Sequence, residues 1–542
     1  IQTPSKHHPN TIQTPSKHHP NTIQTPSKHH PNTIQTPSKH HPYAWFCVSV
    51  MIITLILTSF ESQARGIVIS IPQFRKHFGD ELPDGSFVIE AKWQSTFSGV
   101  PLAAQMVGQW TGSYLCDKFG RKWVIWVAVL ASFPFIGMEY AAETVQLFLA
   151  GKTLNGFCLG IMQPSAVAYV SEVAPISLKS TATVICNFTF VIAPMICFFI
   201  NYFLAYKGPD DPMAYRTLFA TQWGLAGLCL GLLLLVPESP THLIVKGRDD
   251  DALKSYKKIL RDDAAAEEHF SFVKMTVEDA KKISENSTYI DLFRGLNLKR
   301  TAVGSGVFLQ HAFCGVYFTG NYTTYFFQLL GFDSRKSFRY TLGAQTISLT
   351  GCFFCMLFID KLSRRNAVIW GTVALLINDI LVGACSIPKN NEATLKATVA
   401  FMMLYGGVYN MLAGSLGYVC ASENSTSALR AKTLAFGNSL QNVFNMMWSF
   451  VLPYLFNPDR ANLGGKTMFI FAGCLVFFLI AFILFQTETR GRTFDEIDEL
   501  FAARIPLRSF SKYKTRKDLL TERGDFEELE KQKSEVLHIE KA

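Results

Sequence analysis

The chain has 542 residues, of which 49% are hydrophobic and 17% charged, with 45 phenylalanines. That balance excludes an ordinary soluble domain and reads as a protein that crosses a membrane many times. The excess of 51 Lys and Arg over 42 Asp and Glu does not point to nucleic acid, because the basic residues sit in loops and tails beside apolar runs, where topology is set.

Residues 1–42 repeat the 11-residue unit IQTPSKHHPNT almost four times. The prolines of each unit exclude a continuous helix, and there is no apolar face to bury, so a disordered tail is expected. Its paired histidines, such as His7-His8, can collect a metal adventitiously, but the unit reads as a tandem duplication and no metal site is assigned. No signal peptide precedes the first apolar run, which is expected to act as the targeting signal.

Twelve apolar runs follow, at about 43–63, 95–116, 122–142, 146–170, 182–204, 217–236, 301–330, 338–360, 365–386, 395–421, 432–456 and 466–486. Each is near the roughly 20 residues a bilayer requires. Residues 237–300 form a polar connection in which ALKSYKKILRDD and TVEDAKKISE have helical spacing, so short surface helices are expected there. Residues 487–542 are charged and read as a tail. Basic residues gather after runs two, six and eight (Lys118, Arg121, Lys122; Lys246 onward; Lys361, Arg364, Arg365), which makes that side and both termini cytosolic. The twelve cysteines are scattered, and Cys352 with Cys355 lies inside an apolar run, a packing pair rather than a metal or redox site.

The run Gly151–Lys179 carries the densest signal. Gly151, Gly156 and Gly160 fall on or near one helical face, where small residues let a neighbouring helix approach closely. Lys152 lies inside the run, where a charge costs roughly 2.5–3.5 kcal/mol at mid-depth. With Glu172 and Lys179 at the other end, it calls for partners on neighbouring helices. Ser422-Glu423 with Arg430 repeats the Ser171-Glu172 and Lys179 spacing about 250 residues later. Asp117-Lys-Phe-Gly-Arg-Lys122 is echoed by Asp360-Lys-Leu-Ser-Arg-Arg365, and Pro237-Glu-Ser-Pro240 by Thr487-Glu-Thr-Arg490. Three marker pairs in one order and at nearly one offset indicate two parallel halves, 43–236 and 301–486, a device used by transporters.

These markers, with Glu488-Thr-Arg-Gly-Arg492, resemble the sugar-porter branch of the major facilitator superfamily over about Tyr43 to Phe510. IEAKWQS at 89–95, CGVYFTGNYTTYFF at 314–327 and the stretch 429–473 look most like fungal α-glucoside (maltose-type) permeases. The resemblance implies an all-α membrane protein of twelve transmembrane helices in two pseudo-symmetric six-helix halves, the major facilitator fold.

Charged markers at the cytosolic helix ends can form a ring of ion pairs that joins the halves and gates them: Asp117, Arg121, Lys122, Lys152, Glu172, Lys179, Glu238, Asp360, Arg364, Glu423, Arg430 and Glu488. The alternative is topology alone. Ser113 and Ser363 stand where the family pattern has glycine, which implies looser packing beside both loops. A sugar site needs uncharged donors and acceptors with aromatic faces. The polar candidates within runs are Gln163, Asn187, Gln310, His311, Asn321, Tyr322, Tyr418, Asn438 and Asn442, each with an interhelical hydrogen bond as its alternative. By resemblance, Asn187, the Gln310-His311 pair and Tyr418 take the places of sugar-binding Gln, Gln-Gln and Trp. Proton-coupled permeases carry acids where this chain has Ala64 and Gln105, leaving Glu61 as the candidate proton carrier. Pro194 also replaces a usual Gln.

The expected function is a plasma-membrane sugar transporter, α-glucoside uptake coupled to protons by alternating access. The alternatives are export of a small fungal metabolite, an uncoupled sugar facilitator, and a non-transporting sensor. Partners are the small-molecule solute, protons and membrane lipids, with no nucleic acid and no cofactor, and a monomer is expected. No nucleophile, base or metal-ligand set supports an enzyme.

Overall fold

In the computed structural model the described residues are 42–81, 87–174, 179–204, 213–285, 288–358, 362–388, 391–414, 416–426, 429–492, 494–511 and 513. The repeats before residue 42, Asp360, and the side chains of Lys179 and Asn187 lie outside them.

Almost everything described is helical. The first half comprises α1 (Pro42–Ile67), the short α2 (Pro72–Phe78), α3 (Ala91–Phe119), α4 (Arg121–Tyr140), α5 (Val145–Val173), α6 (Lys179–Leu204) and α7 (Met213–Leu235). Between α2 and α3 the strands β1 (Asp80–Glu81) and β2 (Phe87–Val88) form a small antiparallel ribbon with Asp80 opposite Val88. The connection holds α8 (Pro240–Val245), α9 (Asp249–Leu260) and α10 (Asp263–Glu285), the last of these 23 residues long. The second half comprises α11 (Gly295–Phe313), α12 (Val316–Asn321), α13 (Thr323–Leu329), α14 (Ser334–Phe358), α15 (Arg364–Cys385), α16 (Glu392–Val408), α17 (Leu416–Asn424), α18 (Arg430–Phe456) and α19 (Met468–Phe485). The amphipathic α20 (Phe494–Ala502) follows, burying Ile497, Leu500 and Phe501.

Eight of the described helical segments are long and apolar enough to cross a membrane by composition. The remaining crossings are α3, α6, the α11–α13 series and α18; α3 and α18 carry polar residues that line the interior, among them Gln105, Gln109, Asn438 and Asn442. The expected continuous run 301–330 is broken. Gly315 has φ +87, a left-handed conformation that a side chain disfavours, and the chain breaks again between Asn321 and Thr323. The expected run 395–421 is likewise interrupted by a π turn at Tyr409–Ala413, a feature that often marks functional sites. Non-helical backbone at this depth is tolerated because it faces protein or an internal cavity.

Close packing through glycine holds the first half together. A Cβ on Gly156 would lie 2.7 Å from the Pro101 carbonyl oxygen of α3, and one on Gly160 would collide with the Gln105 carbonyl. Gly151 turns instead to α4, 3.0 Å from Glu139 Cγ by the same construction. The three glycines thus serve two neighbours, which is how α5 comes to sit between α3 and α4.

Candidate functional site

The halves meet at the end of the bundle opposite the basic loops. There Asp459 Oδ2 accepts from the Ala91 N–H at 3.1 Å, and Asn457 Nδ2 donates to the Ile89 carbonyl at 3.3 Å. Gln328 Nε2 donates to the Ser70 carbonyl at 2.7 Å, and the Tyr322 hydroxyl to Ser98 Oγ at 3.0 Å. Tyr322, Tyr325, Phe326 and Phe327 are fully buried in this seam. Between the halves lies a cavity of about 340 Å3, lined by residues of α1, α3, α5, α6, the broken α11–α13 series, α17 and α18. A second lobe of about 420 Å3 shares Gln63, Gln163, Phe190, Pro194, Tyr418 and Asn438 with it and extends to His311, Gln345 and Tyr409. Tyr418 is half exposed at the basic-loop end.

Of the nine residues expected to bind solute, Gln163, Asn321, Tyr418, Asn438 and Asn442 line the first lobe. Gln163 Oε1 accepts from Gln105 at 3.1 Å, and the Tyr418 hydroxyl reaches Asn438 Oδ1 at 3.4 Å. His311 lines the second lobe, with Nε2 2.9 Å from the Ala413 carbonyl of the π turn. Tyr322 is a seam residue and does not line either lobe. Gln310 is buried beside them without lining them. Sequence reasoning passed over Ser62, Gln63, Arg65, Ser98 and Asn445, all of which line the first lobe. A small hydroxyl in an apolar run is too common to single out, but Arg65 carried a visible signal as a charge one turn after Glu61.

Glu61 is not alone. Lys152 Nζ lies 2.5 Å from Glu61 Oε1 and 2.8 Å from Glu139 Oε2, and all three side chains are essentially buried. Gln222 Nε2 donates to Glu61 Oε2, and Asn155 Nδ2 donates to Glu139 Oε1 at 3.2 Å. Helices α1, α4, α5 and α7 therefore converge on one ammonium shared by two carboxylates. This removes Lys152 from the expected cytosolic ring. It sits 20 residues before Glu172 on α5, about 30 Å away along the helix axis.

Among the described residues the charged markers pair within each half, in two clusters. In the first, Arg121 Nη2 meets Glu172 Oε1 at 3.1 Å, and Ser239 Oγ donates to Glu172. Glu238 Oε1 accepts from the backbone N–H groups of Arg121 at 2.8 Å and Lys122 at 3.2 Å. Asp117 is exposed, 3.8 Å from Arg121. In the second, Arg364 meets Glu423 at 3.2 Å, and Thr489 Oγ1 donates to Glu423 at 2.5 Å. Glu488 accepts from the Arg364 N–H at 3.0 Å and from the Ser363 hydroxyl. Ser363 also accepts from the Asn366 N–H, capping α15, so this position is tied down and not loosened as expected. Arg430 opens α18, half-buried. One difference between clusters is His242, whose Nδ1 lies 2.6 Å from Arg121 Nη1. Burial, then the adjacent Arg121 and Lys246 charges, push its imidazole down to about 4, so it accepts as the neutral ring.

The family model described as "Sugar (and other) transporter" matches residues 47–501. The chain belongs to this transporter family. A maltose permease of Saccharomyces cerevisiae is 26% identical over 469 residues, covering 85% of this transporter and 76% of that protein. An α-glucosides permease of the same yeast is 27% identical over 474 residues, covering 85% and 78%. The inward open conformation of the xylose transporter XylE from E. coli superposes with a TM-score of 0.69 at 19% identity, covering 84% of this transporter and 99% of that chain. A structure of a D-xylose-proton symporter gives 0.66 at 19%, covering 83% and 100%. These structural likenesses establish the fold: the transporter is a multi-pass, twelve-helix membrane protein of the major facilitator type.

Proposed function

We propose that the protein takes up a sugar of the α-glucoside class across the plasma membrane, coupled to protons by alternating access. The observation that carries this reading is a central cavity walled by amides, hydroxyls and aromatic rings, beside a buried set with one more carboxylate than ammonium. Neutral donors and acceptors suit sugar hydroxyls, and Phe190, Tyr317 and Tyr418 offer ring faces. Ionised together, Glu61 and Glu139 exceed Lys152 by one negative charge, so the set has a place for one proton. With the basic loops cytosolic, the closed seam is extracellular and the cavity faces inward. The names of the yeast relatives support the substrate class.

The two charge clusters act here as clamps. Each ties the ends of α4, α5 and α7, or of α15, α17 and α19, into a rigid body, so that each half moves as a unit. Asp117, Lys122 and Arg430 add charge at those ends.

The test is uptake of radiolabelled maltose in a transporter-null yeast with and without a protonophore. Accumulation is expected to collapse with the protonophore. Glu61→Gln is expected to abolish accumulation while keeping exchange, because the solute contacts remain and the proton site is fixed neutral. Uptake that ignores the protonophore, with no alkalinisation of an unbuffered suspension when maltose is added, would leave a facilitator instead.

A further inference from the structure

Arg65 is the one formally charged side chain among the residues lining either lobe of the cavity; no Asp, Glu or Lys lines them. It is 8% exposed. Its Nη2 donates to Gln105 Oε1 at 3.0 Å and its Nε to the Ser62 carbonyl at 3.4 Å, both neutral acceptors. Its Nη1 is buried with no hydrogen-bond partner. Among the described residues no carboxylate comes within 4.0 Å of it; Glu61, one turn earlier on α1, is engaged by Lys152 and Gln222. A buried guanidinium costs several kcal/mol unless an anion meets it, and neutral acceptors hold its orientation without compensating its charge. Tethered on two sides and unpaired on the third, it is a prepared half of an ion pair in a wall otherwise built for hydroxyls.

We propose that the transported glycoside carries a carboxylate and that Arg65 binds it. The carboxylate fits the guanidinium fork, while the amides of the same lobe, Asn321, Asn438 and Asn442, take the sugar hydroxyls. The charge count links this to the proton. Arg65 and Lys152 together balance Glu61 and Glu139 when both acids are ionised. One proton on the acid pair leaves Arg65 uncompensated, and an anionic solute restores neutrality. Proton and carboxylate thus enter together and cross without net charge.

The inference rests on the α-glucoside reading, and maltobionate, the aldonic acid of maltose, separates the two. In transporter-null yeast expressing the full chain, radiolabelled maltobionate is expected to show a KM about tenfold below that of maltose. Arg65→Gln is expected to erase that difference by raising the maltobionate KM about tenfold more than it raises the maltose KM, and Arg65→Lys to fall between. Purified wild-type protein is expected to be stabilised against heat by maltobionate at lower concentration than by maltose, a comparison that does not depend on how the variants fold. Equal KM values, maltose uptake without maltobionate uptake, or equal loss of both solutes in Arg65→Gln at normal surface expression would overturn the carboxylate and keep the α-glucoside reading. Failure of both solutes to enter or to stabilise the wild type would overturn the α-glucoside reading and this inference with it.

Discussion

Replacing Lys152 by Met tests the buried charge set directly. At an effective dielectric near 20, an ammonium 2.8 Å from a carboxylate gains about 6 kcal/mol of Coulomb energy, and Lys152 makes two such contacts. Desolvating three ions cancels much of that gain, so the pair energies are not the cost of the substitution. The measurable cost is that of leaving two buried carboxylates facing one another with only Gln222 and Asn155 as donors, about 3–5 kcal/mol. For a chain this long, about 2 °C per kcal/mol gives a fall of about 6–10 °C in apparent melting temperature. The triple variant Lys152→Met, Glu61→Gln, Glu139→Gln removes the stranded charges along with the ammonium and is expected to melt close to wild type, although it cannot couple protons. Melting would be followed by intrinsic fluorescence in detergent, with all variants at one scan rate because unfolding is irreversible. If Lys152→Met melts like wild type, or the triple variant falls as far as the single one, the three residues are not a mutually compensating set.

Two further predictions concern packing and the first clamp. Gly160→Leu drives a side chain into the Gln105 carbonyl and is expected to lose surface expression, whereas Gly473→Leu, with nothing within 4 Å of its Cβ position, is expected to express normally; equal expression of both would refute the close α3–α5 approach. His242 stays neutral in the fold down to about 4 while the unfolded chain protonates near 6.5, so the stability it confers is present above about pH 6.5 and lost as pH falls toward 4. Melting temperature over that window is therefore expected to drop more in wild type than in His242→Gln, and parallel curves would remove the Arg121–His242 contact from the clamp.

The marker pairs made the twofold organisation legible because their chemistry repeats as well as their spacing. Glu238 and Glu488 each accept from the first backbone N–H of a helix earlier in the chain, α4 and α15, and Glu172 and Glu423 each hold the arginine of that turn. What the linear pattern could not supply was partner choice. Residues at equivalent ends of many helices can pair within a half or across halves, and only the helix packing decides, here in favour of pairing within each half. Lys152 misled for a related reason. Its depth was readable from the apolar run, but its partner Glu139 lies near the end of another run, where an acid is unremarkable until α4 and α5 meet at Gly151. The cavity residues were partly legible, since amides inside apolar helices are costly without a partner. Asn321, Asn438 and Asn442 found the cavity, whereas Tyr322 found the seam. Polarity at depth therefore identifies residues with a task and leaves open whether the task is structural.

Arg65 shows where that ambiguity can be resolved by counting charge instead of polarity. An amide satisfied by a neighbouring helix leaves nothing over, so its burial does not distinguish packing from binding. A guanidinium whose two contacts are both neutral leaves a full charge over, and burial among uncharged walls makes that remainder expensive. With both acids ionised, Glu61, Lys152 and Glu139 leave one negative charge over in the same half, and Glu61 shares helix α1 with Arg65 yet is held by its own partners. Two opposite remainders, neither neutralised by direct contact, are what a carrier of a proton and an anion requires. Each is completed by what arrives from solution, and completing one without the other leaves the cavity charged. A facilitator of neutral sugars would have no use for either remainder, and Arg65 would then be replaceable by glutamine without loss to any solute.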